Sequence, residues 1–277
     1  MSTLTPFLDM APVPRVLIDV PVVEFPAGSV TVSFTRTAEG MTFDVRGGQK
    51  LPAGSPAVVL DPEPPFGVES QYTVLGFDAS GDMVGSWPVG SVTVDFDGTV
   101  IQQPLDPRLS VLIERMWETG RQLVRPTPFA LSYPQGHELP GLVGLGPRRG
   151  FEDVEWELLA TSRDDADALQ STLGHRSDPQ LPVWLVRTPP DQRIPRVFFC
   201  AVSSLVELDT YRFSDQGEVH FKAVTTETRP PSAGISGAVL THSDMKVFFS
   251  THTEVKAQYA THSDVKRDMS LIGAADA

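Results

Sequence analysis

The sequence is short of several things. It has one cysteine, Cys200, among 277 residues, which excludes an internal disulfide framework. It has no asparagine, and only five lysines against seventeen arginines, the bias of a GC-rich coding sequence. No run of about 18 apolar residues occurs, so no membrane-spanning helix or membrane insertion is expected. The opening MSTLTPFLDMAPVPR lacks the basic-then-apolar order of a secretory signal, and a soluble protein made in the cytoplasm is expected. Positive charge is scarce as well: the formal net charge is -13, whereas binding a phosphate backbone calls for clustered Lys and Arg. Specific nucleic-acid binding is therefore not expected.

Catalytic signatures are missing too. There is no glycine-rich phosphate loop, zinc-ligand spacing, G-x-S-x-G elbow or H-E-x-x-H, and GHELPG at His137 and Glu138 is only half of the last. Asp164, Asp165 and Asp167 are most simply acids placed at the positive start of a helix. Cys200 lies in RVFFCAVSSLVEL and reads as a buried strand thiol. The expectation is a chain that is not an enzyme, with no cofactor and no metal.

What is present is turn chemistry between short apolar runs. The 25 prolines and 22 glycines punctuate segments rich in Val, Thr, Phe and Tyr at period two, the texture of a mainly β chain. After an N-terminal arm at 1–14, residues 15–103 read as about seven strands of a fibronectin III-like β-sandwich, with a tight turn at Ser80 and Gly81. Residues 104–228 read as a β-rich domain with one helix. Within it LSVLIERMW fits helix or strand, and PTPFALSYPQGHELPGLVGLGPRRG is loop-like with strand fragments. FEDVEWELLA places Val154, Trp156 and Leu158 on one face of a strand. A helix follows at 162–173, with Thr161 or Ser162 as cap and Gly174 as stop. Three more strands follow, and residues 229–238 are a linker by composition. Trp87, Trp117, Trp156 and Trp184 sit in strand-like apolar contexts and read as core.

Residues 239–277 are a short-helix repeat tail in which one ten-residue unit is written three times. Thr241, Thr251 and Thr261 are each followed by His, then by Asp244, Glu254 and Asp264, then by Lys246, Lys256 and Lys266. Thr with an acid three residues on is a capping box, so each unit can start a helix of its own. A single continuous helix would rotate its apolar stripe by roughly 80° per unit, which no flat partner could follow. Helices this short are marginal alone and need a surface. The expected interface is Met245, Phe248, Phe249, Val255, Tyr259, Val265 and Met269, with Thr241, Thr251 and Thr261 as caps. Histidines ten apart do not match ligand spacing on one helix.

Four blocks of the chain resemble the minor tail proteins of actinobacterial siphophages, in particular those related to the distal tail protein. They are VVLDPEPPFGVESQYTVLGFDASGDMVGS, then VEWELLATSRDDADALQSTL leading into VWLVRTPP, then EVHFKAVTTETRPPSA, and last the terminal decads. Two departures stand out. That family usually carries Trp or Tyr where His242, His252 and His262 stand here, and often Pro where Ser250 and Ala260 stand. The resemblance implies a virion structural protein of the phage tail tip, a ring component joining the tail tube to the tip. It further implies a homo-oligomer, a hexameric ring, with the tail tube protein, a tip hub and the tape measure protein as neighbours. The ring-forming part is expected at 104–228. The alternative is an adhesion module that binds host-surface glycan through the sandwich.

Overall fold

The computed structural model describes residues 1–10, 12–118, 123–144, 146, 149–176, 179–192, 194–208, 217–233, 242–260 and 265. Of these residues 47% are in strands and 11% in helices, a mainly β fold. The first part holds β1 (Thr3–Phe7), β2 (Arg15–Val20), β3 (Thr31–Ala38), β4 (Met41–Asp44), β5 (Leu51–Pro52), β6 (Ala57–Asp61), β7 (Glu69–Phe77) and β8 (Met83–Thr93). β1-β2-β6 form one antiparallel sheet and β4-β3-β7-β8 the other, with β5 on β3. Alternation does what period two requires: Tyr72 and Val74 of β7 point inward, as do Ala57 and Val59 of β6. They meet Val16, Ile18, Val32 and Phe34 in one core between the sheets. The β7–β8 turn falls where Ser80 and Gly81 predicted it, with Gly81 at φ 87° and the Asp78 carboxylate accepting from the amides of Ser80 and Asp82.

The remaining strands are β9 (Thr99–Gln103), β10 (Asp106–Ile113), β11 (Arg115–Glu118), β12 (Ala130–Ser132), β13 (Gly141–Val143), β14 (Val154–Ala160), β15 (Val183–Arg187), β16 (Val197–Leu208) and β17 (Val219–Thr228). Seven of them form one sheet in the order β10-β9-β15-β16-β17-β14-β11. Its two edge strands are separated in sequence by Glu114 alone. The sheet has therefore curled until its edges meet, as a barrel does. The helix α1 (Arg163–Ser171) packs on β10 and β14 and covers that seam with Ala166 and Leu169. The interior is filled: Phe151, Trp156 and Phe198 pack ring on ring, and the indole N–H groups of Trp156 and Trp184 donate to Thr225 and Thr172, each at 2.6 Å.

The helix boundaries follow from their caps. Ser162 Oγ accepts from the Asp165 amide at 3.1 Å, Asp164 and Asp165 occupy the first turn, and Gly174 leaves at φ 77°. LSVLIERMW is strand in β10 and β11, not helix. Two assignments shift. The arm expected at 1–14 contributes β1, paired with β2 along its whole length. Residues 99–103, expected in the sandwich, form β9 of the barrel, paired with β10 and β15. β9 is buried on both faces, with Val100 in the sandwich core and Ile101 in the barrel core, so it is a wall common to both.

Arg187 crosses this wall. Fully buried, it donates from Nη1 to the Pro14 and Pro64 carbonyls and from Nη2 to Gln102 Oε1, and lies 4.5 Å over the Phe66 ring. Burial lowers its guanidinium to about 9. Beside it Gly67, at φ 64°, lets the sandwich approach the loop after β15: a Cβ there would stand 2.6 Å from Pro190 Cγ. Gly67→Ala is expected to combine left-handed backbone strain with that clash and to cost about 1–3 kcal/mol in denaturant unfolding. A neutral result would mean that the junction yields freely.

Candidate functional site

The repeat folds as two separate short helices over its described part, α2 (His242–Phe248) and α3 (His252–Gln258). The cap chemistry explains the breaks. Thr251 is extended, at φ −140° and ψ 152°, and its hydroxyl accepts from the Glu254 amide. Glu254 reaches back one residue further than a capping box does: its carboxylate accepts from the Ser250 amide at 2.8 Å and from the Ser250 hydroxyl. The Ser250 hydroxyl, then its amide, hold that carboxyl below the usual range. A proline at 250 would have no N–H to give. Phe249 and Tyr259 close the helices, their amides bonded to the Met245 and Val255 carbonyls at 2.9 Å each.

The expected face is assembled in part. Met245, Phe249, Val255 and Tyr259 are half-buried, the fifth and ninth residues of successive units. Phe249 and Tyr259 stack edge to face, with centroids 6.0 Å apart, and so join α2 to α3. Val265, fifth in the third unit, is buried. Phe248 instead turns outward, 51% exposed beside the equally exposed Val247. It forms the rim of a shallow groove of about 550 Å³ with Phe249, Glu254, Ala257 and Gln258. Thr241, Thr261 and Met269 lie outside the described residues.

A second surface went unread in the sequence. β12 and β13 pair as an isolated hairpin, Ala130 opposite Val143 and Leu131 opposite Leu142. Phe129, Leu131, Tyr133, Leu139, Leu142 and Val143 are all between 46% and 80% exposed. Exposed apolar side chains gathered on one hairpin are the kind of surface through which proteins associate. The hairpin also lies in one of the few stretches of an acidic chain with a formal positive balance. Residues 123–150 hold Arg125, Arg148 and Arg149 against Glu138, a formal +2 within a total of -13, which leaves -15 for the rest. The available signal was a run of Phe, Leu, Tyr and Val with no polar alternation between turn residues.

One cluster of ionisable groups in the sandwich is enclosed. Asp61 accepts from Arg36 Nη1 at 2.5 Å, from the Tyr72 hydroxyl at 2.9 Å and from the Glu63 amide at 3.0 Å, and Arg46 Nε donates to Glu63 at 2.7 Å. All five residues are at most 5% exposed, which leaves no face for a substrate. Burial raises Glu63 and, with the adjacent Asp61 charge, lifts Tyr72 well above its ordinary value. Burial also pushes the Cys200 thiol up to about 12. Among the described residues no group of three or more His, Cys, Asp and Glu is placed to hold a metal, and no helix is long and apolar enough to cross a membrane.

Of the four tryptophans read as core, Trp156 and Trp184 are buried, Trp87 is 49% exposed on β8, the outer strand of its sheet, and the side chain of Trp117 lies outside those described. No protein-family model matches the sequence, and no curated protein matches it.

Proposed function

We propose that the chain is a structural virion protein of a phage tail tip, a ring component joining the tail tube to the tip. The observation that carries the reading is the hairpin. The hairpin presents exposed apolar side chains in a stretch of formal positive charge while the rest of the chain is acidic, which suits repeated copies meeting head to tail. Such heterologous contacts close into rings when the rotation permits. The four blocks that resemble distal tail-like proteins run from β6 into the start of β8, from β14 through α1 to β15, along β17, and over the decads that hold α2 and α3. In this reading the barrel and its hairpin build a ring of six copies. The decads contact the tube protein, the tip hub or the tape measure protein, and the acidic balance keeps DNA from adhering to the conduit.

Electron microscopy and native mass measurement of the purified chain test this: rings of one stoichiometry are expected. Tyr133→Asp with Leu139→Asp alters two side chains at 76% and 80% exposure, so the fold should persist while rings fall to monomers. A wild-type monomer, or rings indifferent to that change, would overturn the reading. The exposed Trp87 favours adhesion as the second reading. Its signature is a monomer retained on host-wall glycan and released by Trp87→Ala.

A further inference from the structure

The segment RPPS at 229–232 reads as flexible linker, yet it is held. Arg46, in the turn after β4, donates from Nη1 to the Ser232 carbonyl at 2.8 Å and from Nη2 to the Pro231 carbonyl at 3.0 Å. Its remaining edge is occupied by Glu63, with Nε to Oε1 at 2.7 Å, and both side chains are at most 5% exposed. A planar guanidinium with five donors suits this three-point duty, and an ammonium does not. Pro230 and Pro231 have no N–H with which to extend the β17 ladder, so their stretch leaves the barrel with carbonyls free for another partner. The same buried stretch, Asp61 to Phe66, meets the sandwich, the barrel and the arginine that holds the segment after β17. Asp61 binds Arg36 within the sandwich, Pro64 and Phe66 receive Arg187 from the barrel, and Glu63 orients the arginine that grips the segment after β17.

We propose that Arg46 anchors the C-terminal tail, so that the sandwich and not the barrel holds the root from which the decads extend. The root then lies at residue 232 instead of the end of β17 at Thr228. The tether to the decads is shortened by that much, and a shorter tether raises the effective concentration of whatever docks beyond it. The sandwich thereby gains a role in assembly even if it makes no contact of its own. This does not depend on what the decads bind.

Electron–electron distance measurement on the full chain gives the test. Spin labels go at Ala79→Cys on the β7–β8 turn and Ser232→Cys at the root, both exposed, while the buried native Cys200 stays unlabelled. One narrow distance is expected, lost in the variant Arg46→Gln with Glu63→Gln, which removes both charges together. A second label pair, Ala79→Cys with Ser204→Cys on β16, should keep its distance and so report an intact body. A narrow root distance that survives in the variant overturns the proposal. Should that variant fail to fold, Arg46→Lys keeps the cation beside Glu63 without the fork that spans two carbonyls. Loss of the narrow distance supports the anchor, and its retention overturns it.

Discussion

Replacing Asp61 by alanine is expected to cost the fold about 3–5 kcal/mol, the penalty for leaving a buried ion without its partner. The residue occupies an inward position at the end of β6 with no exposure, where alternation would put an aliphatic side chain. Its oxygens satisfy Arg36 from β3, Tyr72 from β7 and the Glu63 amide, so the substitution strands a cation, a hydroxyl and an N–H together. Burial works most strongly against the Arg36 charge, but Asp61, Tyr72 and Glu63 together outweigh it and hold the guanidinium above its ordinary value. The midpoint of thermal unfolding should fall by about 10 °C, at about 2–4 °C per kcal/mol for a chain of this order of size. Asp61→Leu with Arg36→Met, which removes both charges, should recover much of the loss. A cost below about 1 kcal/mol for Asp61→Ala would mean that water reaches Arg36 and that the cluster is not closed.

What was legible in the sequence was what depends on near neighbours along the chain. Ser162, Asp165 and Gly174 announce α1 because caps act within one turn. Val154, Trp156 and Leu158 announce the buried face of β14, and Thr251 with Glu254 announces α3. What was illegible depends on residues far apart. Thr99–Gln103 is a continuous buried run that belongs with either neighbour until its partners Leu112 and Val186 are known. Arg187 looks like an ordinary strand-end arginine in VWLVRTPP. Its solvent is replaced by carbonyls of Pro14 and Pro64, more than a hundred residues away. The hairpin escaped for the opposite reason: its apolar residues belong to neither described core, so no pattern of alternation marks an inside.

The candidate interface divides the same way. Spacing placed Met245 with Phe249 and Val255 with Tyr259 on one stripe, and the helices carry them there. It could not show that Phe249 and Tyr259 would be used to hold α2 to α3 while Phe248 turned outward. The ninth residues of the first two units therefore form a joint between them, and the eighth in the first unit is free for a partner.

Replacing Phe249 and Tyr259 by serine should accordingly melt the helix pair, whereas replacing Phe248 alone should not. Each helix has about two turns, too short to persist without a neighbour. The edge-to-face contact at 6.0 Å links the two directly. Amide exchange at Phe249 and Tyr259, whose N–H groups close their helices onto Met245 and Val255, should accelerate by about tenfold or more in the double variant. The unfolding midpoint of the sandwich and barrel should stay where it was, because neither described core contains a decad residue. Phe248→Ser should leave exchange unchanged and instead weaken attachment of the tail to whatever it docks on, read, under the proposed function, as reduced incorporation of the chain into assembled phage tails. If the double variant exchanges like the wild type, stacking is not what joins the units. If Phe248→Ser leaves incorporation untouched, the exposed ring is not the docking contact.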